Sequence, residues 1–234
     1  MRSITAVALF AAVVVTACKP KGEPGAVPAE STAAAGVAPA ASSEPAASPT
    51  PAPSQPADST DAQRETARKQ ASMDYASMED RYMNDATAQW AASAQASSTF
   101  GDEDGKVPAE SNLAANVVGP VDDKSWSNNK QDIGFDWLET TFAKPVTATE
   151  VRIVFAGGDG VEAVSKIELQ DTSGKWNTVW SGLSDVKRDE RGRRTWFVRT
   201  FAPTTYKVKA MKVTIANNVQ RGYKVVDAVQ LVGS

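Results

Sequence analysis

The chain of 234 residues contains no histidine and a single cysteine, Cys18. One cysteine cannot form a disulfide within the chain, and without histidine the usual Cys/His zinc sites cannot be built. The Ser–His and Cys–His pairs that activate a nucleophile are excluded for the same reason. Most hydrolase chemistry is thereby ruled out, and we do not expect an enzyme.

The chain also has little net charge, since 25 basic and 28 acidic residues give a formal value of −3. From Gly101 to Ser234 the two kinds are equal, at 18 each. Proteins that bind nucleic acid generally present a basic patch or an overall positive field. The sequence therefore gives no reason to expect a nucleic-acid partner.

Residues 1–18 have the organisation of a secretory signal, with Arg2 ahead of an apolar run that is too short for a comfortable transmembrane helix. The motif Val15-Thr16-Ala17-Cys18 resembles the lipobox of bacterial lipoproteins. The resemblance implies that Cys18 carries acyl chains such as palmitate and anchors the protein in the cell envelope. Lys19 in the next position, where aspartate would retain the protein at the inner membrane, implies the outer membrane. The alternative is an ordinary signal peptide with an incidental cysteine.

Residues 19–60 consist largely of proline, alanine, serine and threonine, and they hold nine of the thirteen prolines. A segment of this composition cannot bury enough apolar surface to offset its conformational entropy. It predicts a disordered tether, stiffer than a Gly/Ser linker, with an extended limit of about 3.1 Å per residue. We expect it to hold a folded domain away from a membrane surface.

Residues 61–89 show apolar side chains at helical spacing and predict one amphipathic helix. Thr60 and Gln63 match a capping box at its start. Three roles are open: the helix packs loosely on the following domain or extends the tether, it associates with a partner, or the segment is disordered. The apolar stripe consists of Ala71, Tyr75, Met78, Tyr82 and Ala86.

Residues 90–234 read as short strands separated by turn signals, which is typical of an antiparallel β-sandwich. Lys144-Pro145 predicts a turn between two strands, because proline fixes φ and biases the preceding residue towards extended geometry. Ser173-Gly174 predicts a tight hairpin turn. The predicted strands lie near 135–142, 148–155, 164–170, 176–181, 195–201, 211–216 and 224–231.

This domain resembles the discoidin, or coagulation factor type C, group of galactose-binding-like domains. The resemblance implies a mainly β, antiparallel jelly-roll sandwich that is not catalytic and binds glycans, lipids or proteins through loops at one end. The residues that carry it are Ala96-Ser97-Ser98, Trp126, Asp136-Trp137-Leu138-Glu139, Phe142, Pro145-Val146, Val164 to Leu169, Tyr223 and Val226 to Gly233.

Asp227 shares a predicted strand face with Val225, Val229 and Leu231, and a carboxylate buried there needs compensation. A salt bridge, backbone hydrogen bonds or protonation would each provide it. Many proteins of the discoidin group carry a structural calcium near this strand. The resemblance therefore implies a possible calcium site, for which the oxygen ligands would be Asn116, Asp122 and Asp227.

Aromatic and loop residues are the other candidates for binding. Trp126, in a polar loop, is either a lid on the core or a platform for a ligand, whereas Trp137 follows the core pattern and is expected to pack inside. Trp176, Thr178 and Trp180 share one predicted strand face, and the sequence does not decide whether that face is exposed. The predicted ligand-binding residues are Trp126, Asn128, Asp159, Arg193 and Tyr223.

Together these features predict a lipid-anchored envelope protein that displays a discoidin-like module for carbohydrate or cell-envelope glycan. The alternative is a module that binds other envelope proteins through the helix and the sandwich surface. Pairs of carboxylates such as Asp122 and Asp123 could serve a glycosidase, but nothing in the sequence sets them across one cleft.

Overall fold

The computed structural model describes residues 60–102 and 110–234. The predicted signal peptide, the lipidation site Cys18 and the predicted tether up to residue 59 lie outside the described residues. In the part that is described, no helix is both long enough and apolar enough to cross a membrane.

Helix α1 spans Asp61–Met83. The predicted capping box is present, with the Thr60 hydroxyl accepting from the Gln63 amide at 3.3 Å and the Gln63 side chain accepting from the Thr60 amide at 2.8 Å. The helix ends earlier than the predicted residue 89, because the side chain of Asn84 turns back to donate to the Asp80 carbonyl. Ala86 is therefore not part of the helix.

In the described part of the chain eight strands follow, and every pairing between them is antiparallel. Three short 3₁₀ helices occupy Glu110–Asn112, Ala114–Val117 and Val161–Ala163. The strands are β1 (Ala88–Ala96), β2 (Trp126–Ser127), β3 (Phe135–Ala156), β4 (Val164–Asp171), β5 (Trp176–Ser181), β6 (Arg194–Thr200), β7 (Lys207–Ala216) and β8 (Val225–Gly233).

The strands form two sheets that share β1 and β3. In one, which we call the helix-side sheet, the second half of β3 lies between β6 and β8, and β8 also pairs with β2 and the start of β1. In the other, which we call the open sheet, the order is β1, the first half of β3, β7, β4 and β5. The predicted antiparallel β-sandwich is confirmed.

Strand β3 runs unbroken for 22 residues, so the predicted turn at Lys144-Pro145 is wrong. The chain instead bends where it leaves one sheet for the other, at a shift in the β3–β7 register between Thr141 and Val146. Pro145 has no amide to donate and lies inside this unpaired stretch. The Gln89 side chain bonds both backbone groups of Lys144, at 2.7 and 3.1 Å, and so satisfies the crossing point.

The core lies between the sheets and follows the period-2 alternation of the strands. Fully buried side chains from both sheets meet there, among them Leu138, Ile153, Phe155, Leu169, Phe197, Ile215 and Leu231. The Ser173-Gly174 turn forms as predicted, with Gly174 at φ +95°.

Helix α1 packs on the outer face of the helix-side sheet. Tyr75 is only 6% exposed, and the ring of Tyr82 lies 5.0 Å from that of Trp196. Met78 packs against the same small cluster, which contains Val154. The hypothesis of a partner helix, which needs Tyr75, Met78 and Tyr82 exposed, is therefore wrong, because the sandwich itself covers this stripe.

Candidate functional site

Trp126 does not present a platform for a ligand. Its side chain is 0% exposed within the hydrophobic core, and its indole N–H donates to the Ser98 carbonyl at 2.9 Å. A large ring with one polar atom is well placed in a core when that atom has a partner. Of the two roles predicted for Trp126, the structure shows the lid on the core. The prediction that Trp126 binds a ligand is wrong.

Asn128 is also fully buried, in a polar network below the loops. Its amide nitrogen donates to Asp136 Oδ2 at 3.1 Å, and its oxygen accepts from the Lys224 amide at 2.8 Å. The polar groups of Asn128 are therefore bonded inside the protein. The prediction that Asn128 contacts a ligand is wrong, and its role is structural.

The Asp136 carboxylate is the centre of this network. Burial acts to raise its pKa, but four hydrogen bonds oppose burial and hold the pKa below its ordinary value. Ser97 and Ser98 donate to Oδ1, each at 2.7 Å, while Asn217 and Asn128 donate to Oδ2 at 2.8 and 3.1 Å. The carboxylate thus ties three loops together.

The other three predicted binding residues reach the surface. Tyr223 packs edge-on against Phe100, with ring centroids 4.7 Å apart. Arg193 is largely exposed and lies 3.8 Å from Asp123. The backbone carbonyl of Asp159 accepts from the Val225 amide at 2.8 Å, and its side chain is exposed. Of the five predicted residues, two are buried and three lie at the surface with different neighbours, so the five do not form one site.

Asp227 is 2% exposed and forms a salt bridge with Arg194, Nε to Oδ2, at 3.1 Å. A register shift between the pairs Val154/Ala228 and Phe155/Val226 marks a β-bulge at Asp227. The bulge turns the carboxylate towards Arg194 and α1, away from the sandwich core that strict alternation predicts. Of the alternatives for Asp227, the salt bridge is the one formed.

Arg194 is the hub of this cluster, since it also lies 2.6 Å from Asp123 and 3.5 Å from Glu79. Burial raises the pKa of Asp227, and the Arg194 guanidinium opposes that rise. The Asp122 backbone amide approaches the carboxyl group as well, yet Oδ1 has no partner at hydrogen-bond geometry. The cluster therefore leaves one buried carboxylate oxygen unsatisfied.

The predicted calcium ligands do not form one set. Asn116 donates from its side chain to the carbonyls of Glu110 and Ser125, and Asp122 pairs with Lys124 at 2.9 Å. In residues 60–102 and 110–234 there is no group of three or more acidic or cysteine side chains placed to hold a metal. At Asp227 the positive charge is supplied by the Arg194 guanidinium.

The cleft between α1 and the Val121 segment has a volume of about 440 Å³. Its charged side chains include Glu79 and Arg194, which pair with each other. These two charged groups are therefore already used in an ion pair between α1 and β6.

The outer face of the open sheet carries a different arrangement. Strand register places one polar residue from each of the five strands in a single row across the sheet. Because neighbouring strands lie about 4.8 Å apart, this row is about 19 Å long. In order from β1 to β5, the row consists of Gln95, Glu139, Lys212, Glu168 and Thr178.

Two tryptophans flank this row. Trp137 lies in the neighbouring row on β3, and Trp176 lies in the neighbouring row on the other side, on β5. The Lys212 ammonium lies between them, 5.2 Å from the Trp137 ring centroid and 4.3 Å from that of Trp176. Both rings are half-buried, so each keeps part of its surface exposed.

The charges along the row are paired. Lys212 lies 3.0 Å from Glu139, and Lys166 in the adjacent row lies 2.9 Å from Glu168. A groove of about 200 Å³ continues the row at its β1 end. Its lining is Ser93, Ala94, Gln95, Glu139 and Thr141.

Trp137 is therefore not a core residue, and the expectation of internal packing is wrong. Phe135, Trp137 and Glu139 alternate with the buried residues Asp136 and Leu138, which is a period-2 signal that the sequence already contains. Trp176 and Thr178 lie on the same outer face, whereas Trp180 packs against the core, because the β4–β5 register shifts between Ile167 and Glu168. Trp137 comes near Trp176 only because of how the strands pair across the sheet. The sequence contains no pattern that predicts this pairing.

The fold places this protein in the class of two-sheet antiparallel β-sandwiches. No protein-family model matches the chain, and no curated protein matches it. The F5/8 type C domain of a Bacteroides fragilis protein is 18% identical, with a TM-score of 0.47 over 62% of this chain and 97% of that domain.

Two carbohydrate-binding modules are also similar to this chain. A chitosan-binding module from Paenibacillus sp. IK-5 is 16% identical, with a TM-score of 0.44 over 60% of this chain and 94% of the module. The family 32 module of NanJ from C. perfringens, solved with galactose, is 15% identical, with a TM-score of 0.45 over 62% of this chain and 98% of the module. A fold does not by itself specify a ligand.

Proposed function

We propose that this protein is a non-catalytic glycan-binding module that a lipid anchor at Cys18 holds in the bacterial cell envelope, on the outer membrane. The observation that carries the binding function is the pair of half-exposed indoles, Trp137 and Trp176, flanking a polar row on the open sheet.

The chemistry of this face suits a sugar. A pyranose ring has apolar C–H faces that pack on aromatic side chains, and its hydroxyls both donate and accept hydrogen bonds. Beside the indoles the face offers the Gln95 amide, the Thr178 hydroxyl and the Glu139 carboxylate, which between them provide donors and acceptors. Apolar surface with a few convergent polar groups is the usual composition of a small-ligand site.

The position of α1 supports display of this face. The predicted tether ends at Thr60, the N-cap of α1, and α1 packs on the helix-side sheet. The open sheet forms the opposite face of the sandwich, so α1 leaves the face that carries Trp137 and Trp176 uncovered.

Binding is tested with the full-length lipidated protein in detergent micelles, applied to a glycan array and to insoluble cell-wall polysaccharides. We expect retention on at least one glycan, and we expect the double variant Trp137→Ala/Trp176→Ala to lose it. Phe100→Ala, which removes an exposed aromatic at the loop end, is the matched control and should bind normally. Absence of binding to every glycan would overturn the proposal.

Anchoring is tested separately. The wild-type protein should incorporate labelled palmitate in cells and fractionate with outer membranes, whereas Cys18→Ser should do neither. Labelling that persists in Cys18→Ser would contradict the proposed anchor and would leave glycan binding unaffected.

A second candidate function is binding to another envelope protein. One observation favours it: Ile133 and Phe135, at the start of β3, are 74% and 70% exposed. Cross-linking in cells that captures one envelope protein, and loses it in Ile133→Ser/Phe135→Ser, would support this function.

A further inference from the structure

We infer that the open sheet binds the interior of a linear, uncharged polysaccharide that lies across the strands, from β1 to β5. This inference rests on the proposed function and specifies the ligand class and the mode of binding. Three features of the face lead to it: the length of the polar row, the convergence of the two indoles and the pairing of the charges.

The polar row is longer than one sugar. It uses one residue from each of five neighbouring strands, from Gln95 at one end to Thr178 at the other, and spans about 19 Å. The groove that contains Ser93 and Thr141 lies beside the Gln95 end. A ligand that satisfied all these polar groups would have to be an oligosaccharide in extended form.

The two indoles lie on opposite sides of Lys212, the central residue of the row, and both rings approach its ammonium within 5.2 Å. A chain that followed the row would therefore lie over the Lys212 ammonium, beside the exposed part of each indole. Aromatic side chains at the centre of an interface commonly supply most of the binding energy.

Both ends of the row are open. Within the described residues, β5 pairs only with β4, and in this sheet β1 pairs only with β3, so the row runs from one sheet edge to the other. A site that recognises the end of a sugar chain needs a wall that stops it. Gln95 and Thr178, the residues at the two ends of the row, are exposed, which suits an internal segment that continues past both edges.

The face carries no unpaired charge among the four ionic residues near the row. Glu139 is paired with Lys212, and Glu168 with Lys166, so two acids balance two bases. A polyanion would gain from one lysine and be repelled by its glutamate partner. The arrangement therefore favours a glycan without carboxylate, sulfate or phosphate groups.

The test is a titration of the full-length protein in micelles with linear neutral β-linked oligosaccharides, from the monosaccharide to the hexasaccharide, drawn from glucan, mannan, galactan and xylan. Polygalacturonate serves as the polyanion. For the glycan that binds, we expect affinity to increase at least about tenfold from the monosaccharide to the longer oligomers. It should change little between about 0.05 and 0.5 M NaCl, because no charge of the ligand is screened.

Four variants locate the site. Trp137→Ala and Trp176→Ala should each weaken binding about tenfold or more, as truncation of a central aromatic anchor does. Thr178→Arg adds bulk at the exposed end of the row, removes no core contact and should also block the chain. Phe100→Ala at the loop end should bind normally, and the melting temperature of each variant confirms that it is folded.

The outcomes separate the two proposals. A monosaccharide that binds as tightly as a hexasaccharide, or binding lost in Phe100→Ala but kept in Trp176→Ala, would overturn the inference and leave the glycan-binding function intact. Preference for polygalacturonate with steep salt dependence would overturn the uncharged class. Failure of every glycan to bind would overturn both.

Discussion

The Tyr75 hydroxyl on α1 donates to the Arg194 carbonyl at the start of β6, 2.9 Å away. The ring is almost fully buried, and an added Cβ on Gly192 would overlap it. Burial and the neighbouring Glu79 carboxylate raise the pKa of Tyr75 to about 12, so the hydroxyl remains protonated and able to donate at physiological pH. The helix is thus fixed to the sandwich and forms part of the same folded unit.

Replacing Tyr75 by alanine should lower the free energy of unfolding by about 3 kcal/mol, because a buried ring and its hydrogen bond are both lost. Urea denaturation followed by circular dichroism measures the change. Met73→Ala, on the exposed side of the same helix, is the control and should cost less than about 0.5 kcal/mol. Equal stability of the two variants would mean that α1 does not dock.

Gly192→Ala tests the same contact from the sheet side, since its new methyl group would overlap the Tyr75 ring. We expect destabilisation of about 1–3 kcal/mol from overpacking and faster proteolysis within α1. The double variant Gly192→Ala/Tyr75→Ala should lose less stability than the sum of the two single variants, because the new methyl group then has no Tyr75 ring to overlap. Strictly additive effects would contradict the contact.

The Asp136 carboxylate should make stability depend on acid. Its pKa in the folded protein lies below the ordinary value of 3.8, because four hydrogen bonds outweigh burial. A depressed pKa means that the stabilisation is fully present above pH 3.8 and is lost as the pH falls through the folded value. Urea midpoints measured from pH 7 down to pH 2 should show this loss.

Asp136→Ala is the variant for this network. It removes the acceptor that Ser97, Ser98, Asn128 and Asn217 share, so we expect a loss of about 3 kcal/mol at pH 7. The acid-dependent part of the wild-type curve should shrink in the same variant. An unchanged pH profile would show that another carboxylate is responsible.

The sequence predicts the sandwich well because its strands alternate. Leu138, Leu169 and Ile215 each fall on the buried face that a period of two assigns to them. The turn at Pro145 is predicted wrongly because proline breaks hydrogen bonding both at a turn and at a strand that changes sheets. Local sequence cannot distinguish these cases, since the difference lies in which strands pair on either side.

The candidate site is harder to predict than the fold. Trp126 and Trp137 both resemble residues of known discoidin domains, yet one is buried and the other lies on the outer face. The polar row exists only because β1, β3, β7, β4 and β5 pair in a particular register. Register between distant strands depends on packing across the whole sheet, which no short motif encodes.

Removing Arg194 should be more damaging than removing the charge of its partner. In Arg194→Ala the buried Asp227 carboxylate loses its salt-bridge partner, which costs about 3–5 kcal/mol. Asp227→Asn keeps the shape and removes the buried charge, so we expect a loss below about 2 kcal/mol. Thermal unfolding of both variants at pH 7 makes the comparison, and the reverse order would contradict it.

The sign of the pH effect is opposite to that at Asp136. Because burial raises the pKa of Asp227, its ionisation opposes folding above that pKa, and the penalty is relieved as the pH falls through it. Arg194→Ala removes the positive charge that lowers the pKa of Asp227, so the pKa should rise further in this variant. The variant should therefore recover stability relative to the wild type between neutral pH and about pH 4, and a constant difference would exclude this mechanism.

Chelation should have no effect on stability. Asn116 donates to the Ser125 carbonyl, Asp122 pairs with Lys124, and one oxygen of Asp227 pairs with Arg194. We expect the melting temperature to stay constant when EDTA or excess Ca²⁺ is added, because an ion that does not bind the folded state cannot stabilise it. A rise of several degrees with Ca²⁺ would instead support the calcium site that the sequence suggests.

Trp126 and Trp176 should separate stability from binding. Trp126 is completely buried and its indole N–H is bonded to Ser98, so Trp126→Ala should cost about 3–5 kcal/mol through the cavity that it leaves. Trp176 is half-buried on the outer face and its main partner is Lys212, so Trp176→Ala should cost only about 1 kcal/mol. Glycan binding should follow the opposite order once each protein is kept well below its own melting temperature. If Trp126→Ala lost binding while folded and Trp176→Ala kept it, the ligand would lie at the loop end of the sandwich and the open sheet would not be the site.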